Sequence, residues 1–251
     1  MQRNIKLVIA YDGTDFCGWQ RQGGTKARTV QGVIEEALEK LHGSFIKLTG
    51  SGRTDSGVHA KGQVANFYTN IESIPANRFA SALNSSLPRD VRILESAEVP
   101  PEFHARFSAC FRTYRYQFIY RRPSLPTENR YNLRLWHVPN LELLNAYGRL
   151  LLGETDCSIF AGAGDTSRSK TRYIYRAYFY AEKDSIIFEI CANAFLKNMV
   201  RSVAGTFLHY EESAVPPCAL KEIIASGKRS LAGPTLPPQG LFLWKIEFKI
   251  S

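Results

Sequence analysis

The chain has 251 residues, which is enough for one large domain or two modest ones, with a sizeable core in either case. Hydrophobic residues make up 44% and charged residues 22%, as in ordinary globular proteins, and no apolar run approaches the roughly 18 residues that a membrane span needs. The five cysteines are scattered and form no CxxC pair, which favours a reducing compartment and argues against a zinc site or a disulfide framework.

The net charge of +9 favours a polyanionic partner, and the basic residues are unevenly distributed. Residues 103–134 contain seven arginines and one acid, Glu128, and a second basic stretch covers residues 168–176. Aromatic residues are interleaved with these arginines, Arg121 and Arg122 among them, and this mixture suits RNA because guanidinium groups pair with phosphates and rings stack on unpaired bases. The alternative is a strand with an aromatic core face, since the aromatic residues of "RTYRYQFIYRR" alternate.

The first half of the chain predicts strands and helices in mixed order. "IKLVIAYDG" predicts a strand, and the apolar spacing after Thr29 predicts a helix that ends before Gly43. Two further strands, "SFIKLTG" and "GQVANFYT", flank a glycine-rich turn. A shorter helix at residues 79–83 and a strand near residues 91–97 complete this half, and we place its end near Pro100.

The second half repeats this mixture. The strand "TYRYQFIY" is followed by a helix at residues 141–152 and by a hairpin of "RAYFYAEKD" and "SIIFEICAN" that turns near Lys183. Helices at residues 195–209 and 220–226 and a last strand, "LFLWKIEFKI", complete the chain. Strands and helices in mixed order in both halves favour an α+β fold.

The glycine-rich turn, "GSGRTDSGVHAKGQVANF", contains an ionisable pair, Arg53 and Asp55. It lacks the Lys and Ser or Thr of a Walker A loop, and Asp55 stands at the third glycine position of a dinucleotide fingerprint, where a carboxylate would repel pyrophosphate. An ordinary tight turn with a surface aspartate remains open. So does a functional carboxylate, because a nearby arginine keeps an aspartate ionised, as a nucleophile or base requires.

This stretch resembles the catalytic motif of the tRNA pseudouridine synthase A family. Four further segments are similar to motifs of that family in the same order along the chain: "YDGTDFCGWQRQ", "FHARFSACFRTYRY", "NAFLKNMVRSVAG" and "PPQGLFL". The last of these follows Leu236, where the family more often has a small residue, a departure that we do not expect to touch the chemistry.

The resemblance implies a role for four residues. Asp55 matches the catalytic aspartate, and Arg53 matches the arginine that helps to extrude the target base. Tyr114 matches the tyrosine that packs against the target uracil, and Arg201 matches the arginine that pairs with the catalytic aspartate. By the residues alone, Arg201 and Lys197 could instead form a solvated basic helix face, and Tyr114 would be a core residue.

The resemblance also implies a pseudouridine synthase fold: two similar α+β halves, ferredoxin-like or RRM-like, that share one mostly antiparallel mixed central sheet with the active cleft between them. We place the halves at residues 1–102 and 103–251. The implied protein is a cytoplasmic homodimer that binds no membrane, uses no metal or cofactor, and converts uridine to pseudouridine at nucleotides 38 to 40 of the tRNA anticodon stem-loop.

Two other functions stay open on the residues alone. A non-catalytic RNA-binding protein would need the basic and aromatic surface but not Asp55. An enzyme that uses the glycine-rich turn to bind phosphates is disfavoured by the missing Lys and Ser or Thr. His59 is either a proton carrier or, as we prefer, a residue that stabilises the turn or the core.

Overall fold

The computed structural model describes residues 2–120 and 125–248. Its strands, in chain order, are β1 Arg3–Tyr11, β2 Thr49–Gly50, β3 His59–Thr69, β4 Val91–Val99, β5 Ala109–Ile119, β6 Leu133–Arg134, β7 Gly153–Asp156, β8 Thr171–Glu182, β9 Ser185–Ala192 and β10 Leu241–Phe248. Its α-helices are α1 Val30–His42, α2 Phe79–Asn84, α3 Pro126–Asn129, α4 Leu141–Arg149, α5 Met199–Glu212 and α6 Pro217–Ala225. Both halves mix strands and helices, so the predicted α+β class is confirmed.

The chain forms two compact units, and each combines a sheet with helices. The first contains the residues up to Cys110 together with those from Phe242 onwards, and the second contains Phe111–Leu241. The sequence predicts a boundary between residues 102 and 103, whereas the compact units divide later, and the last strand returns to the first unit.

In the first unit the strands lie in the order β4-β1-β3-β10, with β2 beside β3. The pairs of β1 are antiparallel, whereas β10 runs parallel to β3, where Phe242 lies opposite His59. Ile5, Leu7 and Ile9 alternate along β1 and are fully buried, as expected of one face of a strand that packs on a core. Each such side chain contributes roughly 1.5–3 kcal/mol by leaving water.

Helix α1 follows the predicted pattern at both of its ends. The hydroxyl of Thr29 accepts a hydrogen bond from the backbone N–H of Gly32 at 3.3 Å, which satisfies a donor of the first turn. Gly43 ends the helix in the left-handed conformation, at φ 70°, and donates to the carbonyl of Glu39. The apolar face includes Ile34 and Leu38, which are fully buried.

In the second unit the strands lie in the order β5-β9-β8-β7, all antiparallel, with the short β6 beside β5. Tyr116 and Phe118 on β5 are fully buried, as is Phe207 on α5. The interpretation of the alternating aromatic residues as a core face is therefore confirmed. The predicted hairpin is also confirmed, because β8 and β9 are joined through Lys183, whose φ is 55°.

Two elements begin later in the structure than the sequence predicts. Of the strand predicted at residues 44–50, only β2 forms, because side chains of α1 bind the backbone before it: Leu48 N–H donates to Glu35, and its carbonyl accepts from Gln31. The helix predicted from residue 195 begins only at Met199, since the residue before it is left-handed and cannot continue an α-helix backwards.

Candidate active site

Asp55 lies in the loop between β2 and β3 of the first unit. Its side chain is partly exposed, that of Arg53 is exposed, and Thr54 between them is buried. The loop closes in a tight turn, in which the Val58 N–H donates to the Asp55 carbonyl at 3.1 Å and Gly57 has a φ of 77°. The loop therefore presents a carboxylate and a guanidinium at the surface while its middle residue is anchored inside.

The anchor of this loop is Thr54. Its hydroxyl forms a hydrogen bond of 2.8 Å with the buried hydroxyl of Tyr11, and its carbonyl accepts from the Trp19 N–H at 3.2 Å. Burial raises the pKa of Tyr11, so the phenol stays neutral and the bond involves no charge. With both its side chain and its backbone bound, Thr54 limits the conformations open to the next residue, Asp55.

Two glycines pack directly under the loop. A β-carbon at Gly13 would lie 2.0 Å from the carbonyl oxygen of Val58, and one at Gly18 would lie 2.6 Å from that of Thr54. Gly18 also has a φ of 85°, which disfavours other residues. The segment "YDGTDFCGWQRQ" therefore supports the Asp55 loop by close backbone approach.

His59 begins β3 and is completely buried. Its Nδ1 accepts the Gly13 N–H at 3.0 Å, Asp12 lies 3.1 Å from the same nitrogen, and the ring stacks on Phe242 with centroids 4.7 Å apart. These contacts agree with the preferred interpretation of His59 as a core residue.

Tyr114 lies on β5 in the second unit, opposite Ile190 of β9. The side chain is 8% exposed, and its ring meets that of Phe195 edge to face at 5.0 Å. Phe195 precedes α5, in the non-helical segment that the sequence assigns to the helix. Edge-to-face packing is one of the favoured arrangements of two aromatic rings.

Arg201 lies in the first turn of α5 and is partly exposed. Its Nε donates to the carbonyl of Leu236 at 2.6 Å, and its Nη1 donates to the side-chain oxygen of Asn198 at 3.1 Å. Tyr116 donates to the carbonyl of Pro237. Burial raises the pKa of Tyr116, and the positive charge of Arg201 partly offsets that rise. The Leu236 carbonyl and the Asn198 side-chain oxygen, both in the second unit, thus bind the guanidinium of Arg201.

Sequence reasoning did not identify Asn198 and Leu236 as partners of Arg201. Leu236 acts through its carbonyl, so its unusual side chain is immaterial to this contact, and no side-chain pattern could have revealed it. Asn198 did leave a signal, since asparagine tolerates the left-handed conformation and its carboxamide reaches a residue three positions on.

Several of the arginines predicted to contact phosphates have partners within the second unit. Arg115 donates to Glu189 at 2.7 Å, and Arg176 lies 3.6 Å from the same buried carboxylate. Arg112 donates to a backbone carbonyl, whereas Arg168 is exposed. Arg121 and Arg122 lie outside the described residues.

The described ranges contain no group of three or more His, Cys, Asp or Glu side chains arranged to hold a metal ion. Over the same part of the chain, no helix combines the length and the apolar character that a membrane crossing requires.

Comparison with known proteins connects these features with a family. The profile of a family described as tRNA pseudouridine synthase matches residues 7–108 and 148–249. A relative named tRNA pseudouridine synthase A, from Treponema denticola, is 51% identical over 98% of this chain and 93% of its own. Relatives of the same name from Treponema pallidum (strain Nichols) and Caldicellulosiruptor saccharolyticus are 47% and 45% identical, over 92% and 98% of this chain and 84% and 100% of theirs.

Proposed function

Because this chain belongs to the tRNA pseudouridine synthase family, we propose that it converts uridines at nucleotides 38 to 40 of the tRNA anticodon stem-loop, with Asp55 as the catalytic carboxylate. The family makes the chain an isomerase and tRNA its substrate. We propose, beyond this, which nucleotides are modified and which residues act on them.

The reaction requires little besides a well-placed carboxylate. The bond between N1 of uracil and C1′ of ribose breaks, the detached base turns, and a new bond forms from C5 to C1′. The proton on C5 is lost and N1 gains one, so atoms and electrons balance within the nucleotide. Since nothing is oxidised and no group is transferred, the proposal includes no redox cofactor or group carrier. Asp55 would act at C1′ or on a ribose proton.

One observation carries the proposal: the Asp55 side chain is accessible, while the residue before it is fixed by buried contacts. Thr54 is bound by Tyr11 and by the backbone of Trp19, and Gly18 allows that close approach. A surface aspartate on an ordinary turn needs no such support. A reacting group gains from it, because positioning contributes several kcal/mol to catalysis.

We propose a role for each of the other three residues. Arg53 is exposed and lies two residues before Asp55. It would occupy the space that the extruded base leaves in the stem, since extrusion of a stacked base costs a few kcal/mol. Tyr114 would pack against the uracil ring. Arg201 would keep the carboxylate of Asp55 ionised, since a guanidinium nearby lowers the pKa of an aspartate.

The decisive variant is Asp55→Asn, which keeps the size of the side chain but removes its charge. We expect no pseudouridine above background in unmodified tRNA, with tRNA affinity within about tenfold of wild type. Asp184→Asn, in the turn between β8 and β9, is the matched control for loss of one negative charge and should form product normally.

Asp55→Asn protein that still converts uridine contradicts the proposal. Joint loss of binding and turnover would assign the loop a structural role. A wild-type protein that binds tRNA and forms no product would support the non-catalytic RNA-binding alternative.

The role of Tyr114 is tested by two substitutions. Tyr114→Phe should retain most activity, because packing on uracil uses the ring, whereas Tyr114→Ala should lose activity and about 3 kcal/mol of stability from the cavity beside Phe195. Single-turnover rates and denaturant unfolding measure both effects. Equal inactivity of the two variants would show that the hydroxyl is required.

We also infer from the family resemblance a cytoplasmic homodimer that needs no metal or cofactor. Sedimentation velocity tests the dimer, and product formation in EDTA with tRNA alone tests the requirement for added groups.

A further inference from the structure

The carboxylate of Asp165 joins two separate parts of the second unit. It follows β7 in the chain, and its side chain is 5% exposed. One oxygen accepts the Ser167 N–H at 3.0 Å and the ammonium of Lys170, and the other accepts the Lys197 N–H at 2.8 Å. Burial alone would raise the pKa of Asp165, but these hydrogen bonds outweigh it and hold the pKa well below its usual range.

The loop around Asp165 forms further hydrogen bonds and close contacts with the Lys197–Asn198 turn. The Gly162 N–H donates to the Lys197 carbonyl at 2.9 Å, and the Lys197 ammonium donates to the Ala163 carbonyl at 3.1 Å. A β-carbon at Gly162 would lie 2.7 Å from the side-chain nitrogen of Asn198. Both backbone groups of Lys197 are therefore bound by this loop, and Asn198 packs directly against it.

The turn holds Asn198 in a conformation that is costly for most residues. Its φ is 60°, and α5 begins with the next residue. In this conformation the Asn198 side-chain oxygen accepts a hydrogen bond from Nη1 of Arg201 at 3.1 Å. The contacts thus form a continuous series from the Asp165 carboxylate, through the backbone of Lys197, to the guanidinium of Arg201.

We propose that Asp165 is a positioning residue: its carboxylate fixes the Lys197–Asn198 turn and so orients Arg201 through the side chain of Asn198. The inference rests on the proposed function, in which Arg201 acts on the catalytic carboxylate. Asp165 itself touches neither substrate nor reacting atoms in this proposal.

The test compares Asp165→Ala, Arg201→Ala and the double variant by single-turnover pseudouridine formation at saturating tRNA. Asp165→Ala should lower the rate by about 10- to 100-fold, the range that a small displacement of a catalytic group costs, with tRNA affinity unchanged. In the Arg201→Ala background the same substitution should cause no further loss, because the residue through which it acts is missing.

Two variants serve as controls. Asp156, like Asp165, accepts a hydrogen bond from the backbone N–H two residues later, that of Ser158, at 2.8 Å. Asp156→Ala should therefore keep the wild-type rate. Asp165→Asn retains an oxygen for the Lys197 N–H and should recover most of the activity. If Asp165→Ala does not fold, Gly162→Ala displaces Asn198 directly and should show the same dependence on Arg201.

Three outcomes overturn the inference: a wild-type rate in Asp165→Ala, an equal loss in both backgrounds, or weaker tRNA binding with an unchanged saturating rate. Arg201→Ala protein with a wild-type rate contradicts the proposed role of Arg201 itself. A slow Arg201→Ala together with an active Asp165→Ala contradicts only the positioning.

Discussion

The loop that carries Asp55 and the turn that precedes Arg201 are fixed by different means. The first is held largely by backbone contacts, and Gly13 lies so close under it that a β-carbon would collide with a carbonyl. The second is held by side chains, since Asp165 binds the turn and Asn198 extends the contact to Arg201. The Asp55 loop therefore depends on the absence of a β-carbon at Gly13, whereas the turn before Arg201 depends on the side-chain oxygens of Asp165 and Asn198.

This difference determines how each region should respond to substitution. An added methyl group is the severe change where backbones meet, because it would overlap a backbone carbonyl and not the end of a flexible side chain. Removal of a polar side chain is the severe change where side chains hold the turn. The same substitution type should therefore have unequal effects in the two places.

The largest effect is expected for Gly13→Ala. The new β-carbon would lie 2.0 Å from the Val58 carbonyl oxygen, and relief of that overlap should cost at least about 2 kcal/mol of stability and displace the Asp55 loop. Gly52→Ala, in the Asp55 loop itself, is the matched control, because a β-carbon at Gly52 meets nothing within 4 Å. Urea unfolding measures both, and equal stability of the two variants would show that the close approach is not needed.

A smaller effect on stability is expected at Asn198, where two substitutions separate the backbone from the side chain. Asn198→Gly keeps the left-handed conformation at no steric cost, whereas Asn198→Ala adds about 1–2 kcal/mol of strain. Both remove the side-chain acceptor of Arg201, so both should lower the single-turnover rate by a similar factor. A fully active Asn198→Gly would mean that only the backbone of this turn matters.

The smallest effect is a pH dependence of the difference in unfolding free energy between wild type and Asp165→Asn. Because the folded pKa of Asp165 is depressed, its contribution is complete above the unfolded pKa of about 4 and is lost as pH falls towards the folded pKa. The difference should be constant between about pH 5 and 8 and shrink below about pH 4. Guanidinium unfolding at several pH values measures it, and a difference that grows on acidification would contradict the assigned bonds.

The sequence predicted well the elements whose signals are local. Thr29 and Gly43 mark the ends of α1 because a hydroxyl cap and a left-handed glycine act within a few residues. The alternation of Tyr116 and Phe118 likewise identifies a buried strand face. The Asp55 loop was recognisable because the whole stretch from Gly50 to Phe67 resembles one family motif.

Other features depend on residues far apart in the chain and left no local pattern. Leu48 lies in a segment of strand-like composition, yet its backbone is bound by side chains of α1. The late start of α5 follows from a turn held by Asp165, more than thirty residues earlier. Local propensity does not include such contacts, so the sequence extended both elements too far.

The return of β10 to the first unit has a consequence for biosynthesis. The strand pairs with β3, so the sheet that carries the Asp55 loop lacks a member until residues 242–248 leave the ribosome. The second unit is one uninterrupted stretch, Phe111–Leu241, and can become compact earlier. Since domains fold as units during synthesis, the half made first is the one that matures last. A translational stop before Phe242 would therefore leave the first unit with an unpaired strand edge, the kind of surface that favours aggregation and proteolysis.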